Sequence, residues 1–193
     1  MELTLHAPAK VNLTLIVGAR RDDGYHDVST VMQTVGLYDT LTLTEGGSGL
    51  TMTCTDPDLP TDGSNLVLRA AALFCQELHL PVPDLHLHLQ KRIPSQAGLG
   101  GGSSDAAAVL RAMRTLYAPE VSDAELERMA ATLGSDVPFF IRGGTALATG
   151  RGERLTPLPR LTEGRFVVVK PPEGFSTPVS YTHLRAHETA ANL

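Results

Sequence analysis

The stretch from Pro94 to Ala108, PSQAGLGGGSSDAAA, constrains this chain more than any other. Gly98, Gly100, Gly101 and Gly102 run into Ser103 and Ser104, and a helical run follows at once from Asp105 to Leu110. Glycine enters φ > 0 readily and has no Cβ, so successive backbone N–H groups can turn inward on one point. A helix N-terminus adds unpaired N–H groups and the positive end of its dipole. A strand-like run, Leu85 to Leu89, comes just before. Strand, glycine turn and helix in that order suit a polyanion, and a phosphate chain is the expected ligand. The run is not the dinucleotide fingerprint, because Ser103 stands where the last glycine belongs. It is not a Walker A loop either, since no Lys-Ser/Thr pair follows the glycines. The alternative is a plain turn.

The 193 residues are enough for one good core or at most two small ones. Charged residues make up 19%, hydrophobic residues 42%, and the net charge is −5. No run of Lys or Arg exceeds two residues, which argues against a nucleic-acid surface or an anionic membrane face. Any phosphate must then be held by local backbone and a few cations. Cys54 and Cys75 fall in separate predicted elements without C-x-x-C spacing, so two reduced thiols are expected. The N-terminus MELTLHAPAK lacks a basic region followed by an apolar stretch, and no apolar run approaches membrane-spanning length. A soluble cytoplasmic protein is the expectation.

Alternation over Val11–Val17 predicts a strand, and further strands are expected over 28–37, 40–44, 50–54, 85–89, 144–149 and 166–170. Ser64 or Asn65 can cap a helix running to about His79. A second helix ends near Tyr117. Ser122 to Glu125 forms a capping box for a third, reaching about Leu133. Strands come first and helices interleave without a strict βαβ rhythm, which indicates an α+β fold.

Outside the glycine run, candidate chemistry is sparse. Lys10 starts the first strong strand, where a solvated strand-edge lysine is the ordinary reading. Asp136 follows Gly134-Ser135 at the lip of an apolar segment, as a turn residue or a positioned base. Tyr25 and His26 follow the turn at Gly24. His86 and His88 share one strand face, and an ordinary polar sheet face is favoured over a metal pair.

Taken together, Pro8-Ala9-Lys10-Val11-Asn12, Asp22-Asp23-Gly24-Tyr25-His26 with Thr30, the glycine run, and Leu133-Gly134-Ser135-Asp136-Val137-Pro138 resemble the GHMP kinase superfamily. The similarity runs from about residue 3 to about residue 178. It implies an N-terminal domain like domain 2 of ribosomal protein S5, spanning residues 1–160, and ATP as cofactor with Mg²⁺ expected alongside it. ATP phosphates would lie on Pro94, Ser95, Gln96, Ala97, Gly98, Leu99, Gly100, Gly101, Gly102, Ser103 and Ser104, with adenine near Asn65 and Leu66. Asp136 matches the family's catalytic base, and Lys10 matches the lysine beside it at the acceptor hydroxyl. Tyr25 and His26 match residues that hold a cytosine ring, and Asn12 matches one lining the site for the acceptor's polyol. The branch implied phosphorylates the 2-hydroxyl of 4-diphosphocytidyl-2-C-methyl-D-erythritol, a small cytidyl diphosphate, in non-mevalonate isoprenoid synthesis. A different GHMP small-molecule kinase, or an inactive nucleotide-binding fragment, are the alternatives.

A second glycine-rich segment is expected beyond Phe166 and is not found there. Residues 161–179 are accordingly expected to begin a second domain that is largely missing. Residues 180–193, which look like translated sequencing adapter, are expected to be a non-native tail. The i, i+4 pair His183 and His187 within it is assigned no function.

Overall fold

The computed structural model describes residues 1–22, 26–161 and 163–170. Tyr25 and the whole of residues 171–193, with His183 and His187, lie outside the described residues. The element order is β1 (Glu2–Arg20), β2 (His26–Glu45), β3 (Leu50–Cys54), α1 (Leu66–Glu77), β4 (Leu85–Gln90), α2 (Gly101–Tyr117), α3 (Asp123–Leu133), α4 (Phe139–Arg142), β5 (Thr145–Gly150) and β6 (Arg154–Leu158). These form an α+β fold in which one sheet of six strands carries the helices on one face.

β2 organises the sheet. β1 runs antiparallel along one of its edges from Glu2↔Thr44 to Arg20↔His26. The other edge is shared. β4 pairs with residues 40–45 and β5 with residues 28–33, so residues 34–39 lie between the two partners. β3 extends the sheet in parallel beyond β4, and β6 extends it beyond β5. The pleat sorts the side chains. Leu41 and Leu43 on β2 and Leu85, Leu87 and Leu89 on β4 are buried beneath the helices. His86 and His88 point to the outer face, where their ring nitrogens hydrogen-bond to the hydroxyls of Thr51 and Thr53. That is the polar sheet face expected from the sequence.

α2 is the central helix. It packs against α1, α3, α4, β1 and β2, and Ala106, Ala107, Ala108 and Ala112 on it are buried. Small side chains let a helix approach a sheet and three neighbouring helices closely, which explains the alanine-rich composition. Asn65 caps α1 by accepting from Val67 N–H at 2.9 Å. Ser122 and Glu125 form the expected capping box on α3. Cys54 and Cys75 are both free thiols, and burial pushes each thiol pKa up. No helix among the described residues is long and apolar enough to cross a membrane.

Several boundaries differ from expectation. The strand at Val11 begins nine residues earlier, at Glu2, because His6, Ala7 and Pro8 pair with Thr40, Asp39 and Tyr38. The two strands expected over 28–37 and 40–44 are one, since Tyr38 and Asp39 stay extended against β1. α2 starts inside the glycine run, at Gly101, because only Gly98 and Gly100 there take the left-handed conformation. The first helix stops at Glu77, and His79 takes φ 53° beyond it. Residues 166–170 are not a strand, since none of the described strands pairs with them. α4 and β6 were not expected. α4 is a single turn, and β6 carries Pro157, so pattern reading passes over both.

Candidate active site

The glycine turn is built on β1. Lys10 N–H donates to Leu99 C=O at 2.9 Å, which stitches the turn to the strand. Leu99 is buried with Ala9 and Ile93 in a small apolar cluster that also takes in Val11, Val35, Leu37 and Ala97. Gly98 and Gly100 adopt φ of 69° and 72°. At Gly100 the absence of a side chain is obligatory. A Cβ there would come within 2.7 Å and 2.9 Å of the Phe140 ring and 3.1 Å of Lys10 Cγ. Gly100 is the point where the turn, β1 and α4 meet.

α2 opens without help. Gly100, its N-cap, makes no side-chain cap, and no acidic residue stands in the first turn. The other two long helices are each capped by a side chain. The first amides of α2 therefore have no side-chain cap to satisfy them. Leu66, the first residue of α1, is the neighbour a Cβ on Gly102 would meet, at 3.9 Å, which sets Asn65 and Leu66 beside the turn. An open depression of about 340 Å³ lies along Pro94 and Ser95 and is also lined by Thr55, Asp56 and Pro57.

Lys10 is buried rather than solvated at a strand edge, with 7% of its surface exposed. Its neighbour Ala9 is also buried, and the β1–β2 register shifts between Pro8 and Lys10. That irregularity breaks the alternation and leaves both residues inward. Lys10 Nζ donates to Asn12 Oδ1 at 2.6 Å, Asn12 Nδ2 donates to Thr30 Oγ1 at 2.6 Å, and Thr30 Oγ1 donates to Thr14 C=O at 2.5 Å. The relay fixes the ammonium from one side. On the other, Lys10 Nζ lies 3.6 Å from Asp136 Oδ2. Asp136 sits in the turn between α3 and α4 with a third of its side chain exposed, and a Cβ on Gly152, after β5, would lie 3.9 Å from its Oδ1. Lys10 and Asn12 thus form one cluster with Asp136, far from them in sequence, beside the glycine turn. His26 lies farther along the hairpin, where its Nδ1 is 3.1 Å from Gly18 C=O.

Beneath the turn lies a buried ionic cluster that the sequence reading missed. Lys91 Nζ contacts Asp39 Oδ2 at 2.5 Å and Asp105 Oδ2 at 2.8 Å, and all three side chains are at least nine-tenths buried. Asp39 Oδ1 accepts from the backbone N–H groups of Arg92 and Ile93, at 2.5 and 2.8 Å. β2, the segment after β4, and α2 are joined by these contacts. Gly101 makes room for them: a Cβ there would meet Ile93 Cγ2 at 3.1 Å and Lys91 Nζ at 3.2 Å. The side-chain position at Gly101 therefore faces the cluster. Burial, against the pull of Lys91 and with added repulsion from Asp39, pushes the Asp105 pKa up to about 7. Burial works against the Lys91 ammonium, but the two carboxylates outweigh it and raise its pKa. A lysine preceding the turn and a lone aspartate on β2 carry no local motif, and only the fold brings them together.

Among the described residues no group of three or more His, Cys, Asp or Glu side chains could hold a metal. Mg²⁺ commonly keeps water and substrate phosphates as ligands.

Residues 65–144 match the family described as the GHMP kinases N terminal domain. The chain is 47% identical to 4-diphosphocytidyl-2-C-methyl-D-erythritol kinase of Protochlamydia amoebophila over 98% of its own length and 65% of that protein. It is 48% identical to the enzyme of the same name from Heliobacterium modesticaldum, over 95% of this chain and 59% of that one. A crystal structure of 4-(cytidine 5'-diphospho)-2C-methyl-D-erythritol kinase superposes with a TM-score of 0.70 at 47% identity, covering 81% of this chain and 55% of that one. The mevalonate kinase of Methanococcus jannaschii shares the fold, with a TM-score of 0.64 at 13% identity over 82% of this chain and 56% of that one. The chain spans about three-fifths of the length of the curated relatives it matches.

Two outcomes follow for stability. Gly100→Ala is expected to destabilise the chain by about 1–3 kcal/mol through overpacking against Phe140, beyond the cost of its positive φ. Gly98→Ala, which meets nothing within 4 Å, carries only the backbone cost; equal losses in denaturant titrations of the two variants would contradict this. For Asp105, the folded pKa lies above the unfolded one of 3.8. Its contribution is therefore full below pH about 4 and is lost as the pH rises toward about 7. The melting temperature of Asp105→Asn should gain on that of the parent chain between pH 4.5 and 7.5 and level off above. A difference constant with pH would contradict the assignment.

Proposed function

This chain belongs to the GHMP kinase family, and on that premise we propose that it forms the nucleotide-binding and catalytic part of an ATP-dependent small-molecule kinase. The acceptor is 4-diphosphocytidyl-2-C-methyl-D-erythritol, phosphorylated on its 2-hydroxyl. The observation that carries the reading is the uncapped N-terminus of α2, opening from a left-handed glycine turn beside the Lys10–Asp136 pair. The names of the relatives at 47% and 48% identity supply the acceptor.

Phosphoryl transfer depends on positioning and charge stabilisation more than on covalent catalysis. The β- and γ-phosphates rest on the amides between Gly98 and Ser104, with the nucleoside lodged near Asn65, Leu66 and the depression along Pro94 and Ser95. The acceptor hydroxyl enters between Lys10 and Asp136. Its oxygen attacks the γ-phosphorus, the bond from that phosphorus to the β,γ-bridging oxygen breaks, and the hydroxyl proton passes to the Asp136 carboxylate. The product is the phosphate ester, and ADP leaves. Lys10 orients the hydroxyl, and the Asn12–Thr30 relay holds Lys10 in line. Mg²⁺, held by the nucleotide's own phosphates, would supply charge neutralisation on the transferring group. His26, its ring set by Gly18, and Tyr25 hold the cytosine.

Asp136→Asn is expected to lower kcat by about 10²–10⁴ while leaving ATP affinity intact, since it removes the proton acceptor and spares the turn. His26→Ala should raise KM for the cytidyl substrate and leave KM for ATP unchanged. Steady-state kinetics with both substrates checks both outcomes. A near-normal kcat for Asp136→Asn would overturn its role as base, and equal KM changes would overturn the cytosine assignment.

A further inference from the structure

We propose that Asp105 is a positioning residue whose proton is linked to phosphate binding at the glycine turn, so that the turn takes a triphosphate most tightly when the Asp39–Lys91–Asp105 cluster is neutral overall. The proposal rests on the reading of Gly98 to Ser104 as the phosphate site and adds a proton to it.

The hydrogen bonds distinguish the two carboxyls of the cluster. Asp39 accepts from Lys91, Arg92 and Ile93 with both of its oxygens, the acceptor-only pattern of a carboxylate. Asp105 has one oxygen on Lys91, while its Oδ1 is buried without a hydrogen-bond partner. The other such atom among the described residues is Ser104 Oγ, its immediate neighbour on α2. A fully buried carboxylate oxygen with no donor is costly, and protonation lowers that cost by removing the buried charge. Lys91 and Asp39 are the charged groups facing Asp105, and Cys54 at the end of β3 is near enough to feel its charge. With Asp105 ionised, two carboxylates and one ammonium leave a net charge of minus one. With Asp105 protonated, the cluster is neutral.

That charge lies directly under the proposed phosphate site. Asp105 is four residues into α2, about 6 Å along the helix axis from Gly101. The Lys91 ammonium approaches closer still, at 3.2 Å from the Cβ position of Gly101. A buried negative charge there opposes a polyphosphate through low-dielectric protein rather than through water. Binding of a triphosphate must then favour the protonated form, and a proton is taken up from solvent by Asp105. By reciprocity, the proton favours the triphosphate equally. The cluster also holds Arg92 and Ile93 to β2, so the segment that feeds the turn keeps its place in either state.

Calorimetric titration of the full chain with MgATP and with inorganic tripolyphosphate, from pH 6 to 8.5 and in two buffers of different ionisation enthalpy, tests the linkage. The parent chain should take up a fraction of a proton near pH 7.5, and its Kd should weaken about tenfold across the range, the size of a typical coupling between sites. Asp105→Asn should bind without proton uptake and with a flat profile, while the control Asp123→Asn, at a half-buried carboxylate on α3 paired with Arg114, should follow the parent. An unchanged pH profile in Asp105→Asn would overturn the proposal alone. Failure of the parent chain to bind either triphosphate at any pH would overturn the phosphate site itself and the linkage with it. Carbon-13 NMR of the Asp105 carboxyl in the parent chain needs no variant: its titration midpoint should rise on saturation with MgATP, and a midpoint unmoved by nucleotide would refute the linkage.

Discussion

The buried contact of Lys91 with Asp39 and Asp105 is the constraint on which the candidate site depends. β2 has β4 and β5 on one edge at its two ends, and Asp39 lies where neither pairs with it. The chain leaving β4 must turn away from the sheet there, which strands backbone donors. Asp39 accepts two of them, from Arg92 and Ile93. Lys91 then reaches under α2 to Asp105, setting where the helix begins. Removing Lys91 leaves two buried carboxylates without their partner, and breaking a buried pair in this way typically costs about 3–5 kcal/mol. The glycine turn is therefore fixed from below by charge and from the side by apolar packing of Leu99.

A second device positions Lys10 and Asp136, the pair proposed to act on the acceptor. The register irregularity between Pro8 and Lys10 leaves two successive residues inward, so the lysine enters the interior beside the turn. Asn12 and Thr30 then hold its ammonium 3.6 Å from Asp136. Phe140 closes the arrangement by packing where a side chain on Gly100 would stand. Asp136, in the α3–α4 connection, precedes Phe140 of α4 by four residues, so the packing that seats the ring also helps to seat the carboxylate. Gly100 is thus a packing requirement as much as a conformational one.

Much of this was legible in the sequence, and the missing parts share one property. The glycine run, the α1 and α3 caps and the alternating β4 strand are local patterns, each encoded within a few residues, and the structure has them all. Lys10 and Asp136 could be joined only through a resemblance, because their meeting depends on the β1–β2 register and the α3–α4 turn. The Asp39–Lys91–Asp105 cluster left no trace in pattern reading: its members lie on three elements, and isolated charged residues ordinarily read as solvated. Gly101 shows the same limit. In the sequence it resembles its neighbours, and only the structure shows that its missing side chain makes space for Lys91. Val167 and Val169 mislead in the opposite sense, since an apolar β-branched run reads as a strand whether or not a partner strand is at hand.

On the proposed reading, the uncapped start of α2, held by the buried cluster, takes the phosphates of a nucleotide on its backbone. Amide nitrogen-15 NMR of the chain titrated with MgATP tests it most directly. The N–H signals of Gly98 to Ser104 should shift together and saturate at one Kd, while those of Thr51, Thr53, His86 and His88 on the outer sheet face stay in place. Saturable binding that leaves the amides of Gly100 to Ser103 unmoved would contradict the account.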